Sequence, residues 1–171
     1  AIAKSVDEYE QMYQPHLPGE FRDAGRPTRV TPLYEPLKQA GALYGDTFGW
    51  ERAKWYAAKG EKENYSFRRN NSFAAVAEEC KAVRERVGLT DLTSFSKYEV
   101  SGKDAQGFLE RLCANRVPTK AGGIVLSQML TEKGGIESEA TIACLAENHY
   151  YLLSAAVAEL HDFDWLVQHI Q

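Results

Sequence analysis

The sequence predicts an α+β domain, with a largely antiparallel sheet flanked by helices, behind an extended connector. Two observations carry that expectation. From Ser72 the apolar pattern runs helix, strand, helix, three strands, helix, and the strands are joined by connections of hairpin length. Before that, residues 1–30 are polar and rich in turn formers, with Pro15, Pro18, Gly19, Gly25 and Pro27, and read as an arm that would not fold well alone.

The elements follow in order. Pro32 to Gly41 suits a short helix, with Leu33, Leu37 and Ala40 on one side and Gly41 as its stop. Gly45–Tyr56 reads as an aromatic-rich loop whose tryptophans clamp it over a core, or form a ligand wall or docking surface. Lys59–Asn71 is polar and is the best internal boundary, dividing a connector (1–60) from a folded domain (61–171). Phe73, Val76, Ala77, Cys80, Val83 and Val87 recur at helical spacing before Gly88. Tyr98 and Val100 alternate with charged residues as in a strand. Ser101-Gly-Lys-Asp104 resembles a capping box opening a helix with Ala105, Phe108, Leu109, Leu112 and Cys113. Gly122-Gly123 leads into two strands across Leu126–Ala143, Tyr150–Leu153 forms another, and Ala156–Ile170 a last helix carrying Val157, Leu160, Phe163, Leu166, Val167 and Ile170.

Composition narrows the function classes. With 44% apolar residues and 11% aromatics, the 171-residue chain can bury a substantial core. A net charge of −4 argues against a general nucleic-acid surface. No apolar run reaches membrane-spanning length, and the first residues resemble neither a signal nor a transit peptide. Cys80, Cys113 and Cys144 are widely spaced, odd in number and set among apolar neighbours, so buried reduced thiols are expected rather than disulfides or zinc. The chain starts at Ala1 without methionine, and its last helix meets no terminator. A processed chain or a piece of something larger is expected.

Generic catalytic devices fail. Gly41, Gly45 and Gly49 lack the dinucleotide pattern, and Gly102-Lys103 lacks the upstream glycine of a phosphate loop. His161 and His169 stand eight residues apart, twice the i, i+4 spacing of helical metal sites, so no metal is expected. Glu137 and Glu139, just after Gly134-Gly135, lie two residues apart and would share a face of a regular strand. Such a pair can be solvated charge, or can hold a cationic or N–H-bearing ligand. Spacing alone leaves both readings open.

Several segments resemble a single family. Pro32-Leu-Tyr-Glu35, Gly41-Ala-Leu-Tyr-Gly45 and Gly49-Trp-Glu-Arg52 resemble the connector of dimethylglycine and sarcosine dehydrogenases, which joins a flavin oxidoreductase part to a folate-binding part. Ser66-Phe-Arg-Arg69, Gly88–Lys97, Glu99-Val-Ser-Gly102, Leu112–Val117, Gln128-Met-Leu130, Gly134-Gly-Ile-Glu137 and His161–Trp165 continue the match into what resembles the start of the aminomethyltransferase domain of the glycine-cleavage T-protein.

That resemblance implies a fold and a chemistry. The fold would be the N-terminal part of the T-protein folate-binding domain. The cofactor would be tetrahydrofolate, whose N5 takes a one-carbon unit from an iminium or aminomethyl donor to give 5,10-methylenetetrahydrofolate. FAD would belong only to an absent part or a partner flavin oxidoreductase. The family's acid after the glycine turn falls on Glu139, where the usual residue is Asp, as the catalytic and folate-contacting carboxylate. Phe95, Leu126, Thr141 and Ser154 match lining positions, Ser154 replacing the T-protein Asn. Alternatives on the same fold are a non-catalytic assembly module, or a demethylase acting on another methyl donor. A bacterial cytoplasm is the simpler expected location, with the mitochondrial matrix compatible.

Overall fold

A computed structural model describes residues 2–58 and 60–170; Ala1, Gln171 and Lys59, where the expected boundary segment begins, lie outside the described residues. The chain forms two compact units, residues 1–94 and 95–171.

The first unit holds helix α1 (Ile2–Glu10), helix α2 (Tyr34–Gln39), strands β1 (Ala42–Thr47) and β2 (Trp50–Tyr56), and helix α3 (Ser72–Glu85). Its sheet is the antiparallel β1–β2 hairpin. The sequence reading of Gly45–Tyr56 as a loop is therefore corrected. A two-residue turn, Phe48-Gly49, joins the strands, and both residues have positive φ (52° and 83°), the backbone twist that a tight hairpin requires. The alternation was hard to read because one inward residue is a glutamate. Glu51 and Trp55 are 5% and 2% exposed. Glu51 is tolerated there because Arg26 meets it with two hydrogen bonds, Nε to Oε1 at 2.9 Å and Nη2 to Oε2 at 2.7 Å.

Other expectations for this unit need adjusting. The N-terminal arm is not wholly extended, since α1 forms within it. Ile2, Val6 and Tyr9 recur at helical spacing there, but no residue of α1 is buried; a Gln11–Asp7 side-chain bond and an Arg22–Asp7 ion pair support the helix. Gly41 does end the second helix: its φ is 98°, and an added Cβ would lie 2.6 Å from the Ala57 carbonyl oxygen. Helix α3 forms, but its apolar stripe is not its packed side. Phe73, Val76 and Val83 are exposed, and no residue of the helix is buried. The helix instead meets β2 partly through Glu79, which accepts the Tyr56 N–H at 3.0 Å.

The second unit contains strands β3 (Ser96–Ser101), β4 (Ile124–Leu130), β5 (Ile136–Ala146) and β6 (His149–Ser154), with helices α4 (Ala105–Leu112) and α5 (Glu159–Gln168). The sheet is antiparallel throughout, in the order β3-β6-β5-β4. The expected α+β class with a largely antiparallel sheet and flanking helices is what the structure has. Helix α4 buries Ala105, Phe108, Leu109 and Leu112, an i, i+3, i+4, i+7 stripe. They join Met129, Ile142, Tyr150, Leu152 and Leu166 in one core.

Two local features depart from the expected pattern. No capping box forms at Ser101–Asp104: Asp104 is itself the residue before the helix and makes no side-chain cap. A turn intervenes first, with Gly102 at φ 126° and the Ala105 N–H bonded to its carbonyl. The last helix is divided, a 3-10 turn at Ala156–Ala158 preceding α5. Its buried side carries Asp162 and Leu166, whereas Val157, Leu160, Phe163, Val167 and Ile170 are exposed.

Candidate functional site

The core covers one face of the second unit's sheet and leaves the other open. Antiparallel pairing fixes which residues share the open face, because directly opposed side chains point the same way. Leu126 opposes Thr141, Thr141 opposes Leu153, and Leu153 opposes Lys97, so these four make a row across all the strands. With strands spaced about 4.8 Å apart, the row spans about 14 Å. Beside it, Gln128 opposes Glu139. The interleaved residues Met129, Ala140, Ile142 and Leu152 are buried beneath.

Glu139 is held on this face. Gln128 Nε2 donates to Glu139 Oε2 at 2.7 Å. A carboxylate offers about four lone-pair sites, so this bond orients it while leaving capacity for further N–H donors. Leu126 is 55% exposed and Thr141 half-buried, placing one aliphatic and one hydroxyl-bearing side chain next to the acid.

Glu137 goes elsewhere. Leu130 opposes Ile136 but Met129 opposes Ser138, so Glu137 is the extra residue of a β-bulge. Its Oε1 lies 2.9 Å from His161 Nε2 on α5, the helix packed against the core side. The bulge breaks the period of two, and the expectation that Glu137 and Glu139 share a face is corrected accordingly.

The structure brings Leu126, Thr141 and Glu139 together and sets the other two expected residues apart. Phe95 immediately precedes β3, at the opposite edge of the sheet from β4; it is 38% exposed, and its carbonyl accepts Lys97 Nζ at 2.8 Å. Ser154 alternates onto the packed face, where it opposes Ser96 and is 4% exposed. Close by, burial pushes the Tyr98 phenol above its ordinary pKa, with the Ser154 and Ser96 hydroxyls pulling the other way. Gln128 and His161 were missed as partners of the two glutamates. Both stand within the segments that carry the resemblance, but strand register was needed to pair them.

Other chemistry is sparse. Among the described residues, no three His, Cys, Asp or Glu side chains gather as a metal site would need. His169 Nδ1 donates to the Trp165 carbonyl at 2.7 Å. Cys80 is exposed, Cys113 half-buried and Cys144 buried, all three as free thiols; the expectation of burial thus fails for Cys80. Among the described residues, no helix is long and apolar enough to cross a membrane.

Comparison with known proteins decides the family. The model of the GCVT N-terminal domain matches residues 33–171. The chain belongs to the GCVT N-terminal domain family. It is 40% identical over 152 residues to a mitochondrial dimethylglycine dehydrogenase from Rattus norvegicus, a match covering 87% of this chain and 18% of that enzyme. It is 29% identical over 166 residues to a mitochondrial pyruvate dehydrogenase phosphatase regulatory subunit from Mus musculus, covering 93% of this chain and 19% of that protein. Among solved structures, the glycine cleavage system aminomethyltransferase T from Bartonella henselae superposes with a TM-score of 0.65 at 26% identity, covering 83% of this chain and 35% of that one. The resemblance to dimethylglycine dehydrogenases and the T-protein is therefore established, as is the T-protein fold. This GCVT domain chain spans under a fifth of the rat enzyme.

Proposed function

We propose that the open sheet face is part of a reduced-folate site, in a one-carbon transfer module of a dimethylglycine or sarcosine dehydrogenase-like protein. The observation that carries this reading is Glu139, fixed by Gln128 beside Leu126 and Thr141 on one accessible face. The residues suit the ligand. A carboxylate accepts ring N–H groups and stabilises positive charge developing near them, and the aliphatic Leu126 suits a flat ring face. Tetrahydrofolate, when bound, supplies the nucleophilic nitrogen that takes the one-carbon unit from an iminium or aminomethyl donor.

The chain's own residues orient and bind. Glu139 is one methylene longer than the family's usual Asp, and a shift of that size matters where geometry is catalytic. The Gln128 bond orients that longer carboxylate from the neighbouring strand. Phe95 borders the face from the far edge, and Ser154 lies beneath it on the packed side of β6. Any flavin belongs to another part of the protein or to a partner. The bacterial cytoplasm and the mitochondrial matrix both suit this chemistry.

Isothermal titration of the chain with tetrahydrofolate tests the reading. Saturable binding that weakens in Glu139→Ala supports it. No heat at millimolar ligand contradicts it.

One observation favours a second reading, a non-catalytic assembly module. The exposed stripe of Phe73, Val76 and Val83 on α3 is a docking surface in that reading, and the mouse relative is named as a regulatory subunit. Val76→Asp on α3 would then change subunit association while Glu139→Ala would not, and folate binding would be absent throughout.

A further inference from the structure

We propose that the Glu137–His161 pair is a positioning brace that sets the face on which Glu139 stands; the inference rests on the folate reading above for its consequence in binding. The physical basis is the bulge. A strand's side chains alternate strictly, so a one-residue slip moves every one of them to the opposite face. A bulge is such a slip confined to one place. With the extra residue at position 137, Ser138 opposes buried Met129, and Glu139 opposes Gln128 on the open face. Were the extra residue displaced to position 139 while Ala140 and Ile142 kept their buried places, Glu139 would lie unpaired beside Ala140 and turn toward the core side. The location of the bulge therefore selects the face of the acid.

Two sets of contacts flank the bulge. On the turn side, the hairpin tip is closed on itself: Thr131 N–H bonds the Gly135 carbonyl at 2.9 Å, and Gly135 N–H bonds Thr131 Oγ1 at 3.0 Å. Those bonds fix the turn but not the register beyond it. At the bulge, Glu137 is tied to α5 through His161 at 2.9 Å, with the carboxylate side chain only 21% exposed. Helix α5 is itself anchored in the core by Leu166, so the brace refers the start of β5 to the packed face of the domain.

The test uses the whole chain in two stages. Without ligand, the Gln128 side-chain amide resonances and hydrogen exchange at Ser138 and Ala140 report the register directly. His161→Ala is expected to move the Gln128 signal toward that of a free glutamine and to speed exchange. His161→Gln, which keeps a donor near the Nε2 position, is expected to retain the native signal, and Glu137→Ala to match His161→Ala. With tetrahydrofolate, His161→Ala is expected to weaken binding about fivefold, the upper end for a pair whose imidazole is half exposed. His161→Gln should stay within about twofold, and His161→Ala should have no further effect in a Glu139→Ala background. An unchanged Gln128 signal in both alanine variants overturns the brace. So does an equal loss of affinity with and without Glu139. If the unmodified chain binds no folate, the folate reading fails while the ligand-free signals still decide the brace. If His161→Ala does not fold, Glu137→Ala and His161→Gln carry the same comparison.

Discussion

Gln128 and Glu139 face each other across neighbouring strands, joined by a 2.7 Å hydrogen bond from the amide to the carboxylate. The bond turns an exposed acid into an oriented one. Its removal separates orientation from charge. Gln128→Ala is expected to keep the fold and to weaken tetrahydrofolate binding less than Glu139→Ala does, about threefold against about tenfold or more, because a neutral amide bond is worth less than the ligand-facing charge. Parallel calorimetric titrations check the order, and equal losses would contradict it.

The core of the second unit rests on side chains contributed by both sheet and helix. Leu152, fully buried in the middle of β6, meets the α4 stripe. Leu152→Ala is expected to destabilise the protein by about 2–5 kcal/mol, through lost apolar transfer and the cavity left behind. Urea denaturation followed by circular dichroism measures it.

The three thiols should differ in reactivity. Burial pushes the Cys113 thiol up to about 11, with Ser127 opposing weakly, whereas Cys80 is exposed. The thiolate is the reactive form, so at pH 8 a thiol reagent should modify Cys80 rapidly, and Cys113 and buried Cys144 only slowly. Mass spectrometry of timed samples checks this, and the Cys113 rate should still be rising above pH 10.

Alkaline stability follows from half-buried phenols. Burial drives Tyr44 up to about 12, and its hydroxyl donates to the Tyr34 carbonyl at 2.8 Å; Tyr56 and Tyr65 are raised for the same first reason. An unfolded tyrosine titrates near about 10. Because the folded state holds these protons more tightly, their contribution is intact below about pH 10 and is lost as pH rises through the folded values. Thermal unfolding between pH 9 and pH 12 should show the midpoint falling gently from about pH 9, where Cys113 begins to contribute, and more steeply above about pH 10. Tyr44→Phe should reduce the slope of that fall.

The second unit was largely legible because its residues obey their periods. Leu109 and Leu112 sit on the helical stripe, and Ile142 and Leu152 on the strand alternation, as burial requires. Legibility failed where a polar residue occupied an inward position. Glu51 hid β2 because its partner, Arg26, lies twenty-five positions earlier in the chain. Asp162 hid the packed side of α5, so the more apolar but exposed side was read instead. The site divided along the same line. Leu126, Thr141 and Glu139 converge because alternation holds from Ser138 onward, whereas Ser154 lands on the packed face and Glu137 leaves the row at a bulge. A bulge has no local signature here, since it depends on the register of two strands at once.

We propose that the open face around Glu139 receives reduced folate. The most direct measurement is chemical-shift mapping of the isotopically labelled chain during titration with tetrahydrofolate. Saturable shifts are expected at Leu126, Gln128, Glu139 and Thr141, with core residues such as Ile142 nearly unmoved. Saturable shifts confined to other surfaces, or none at millimolar ligand, would contradict it.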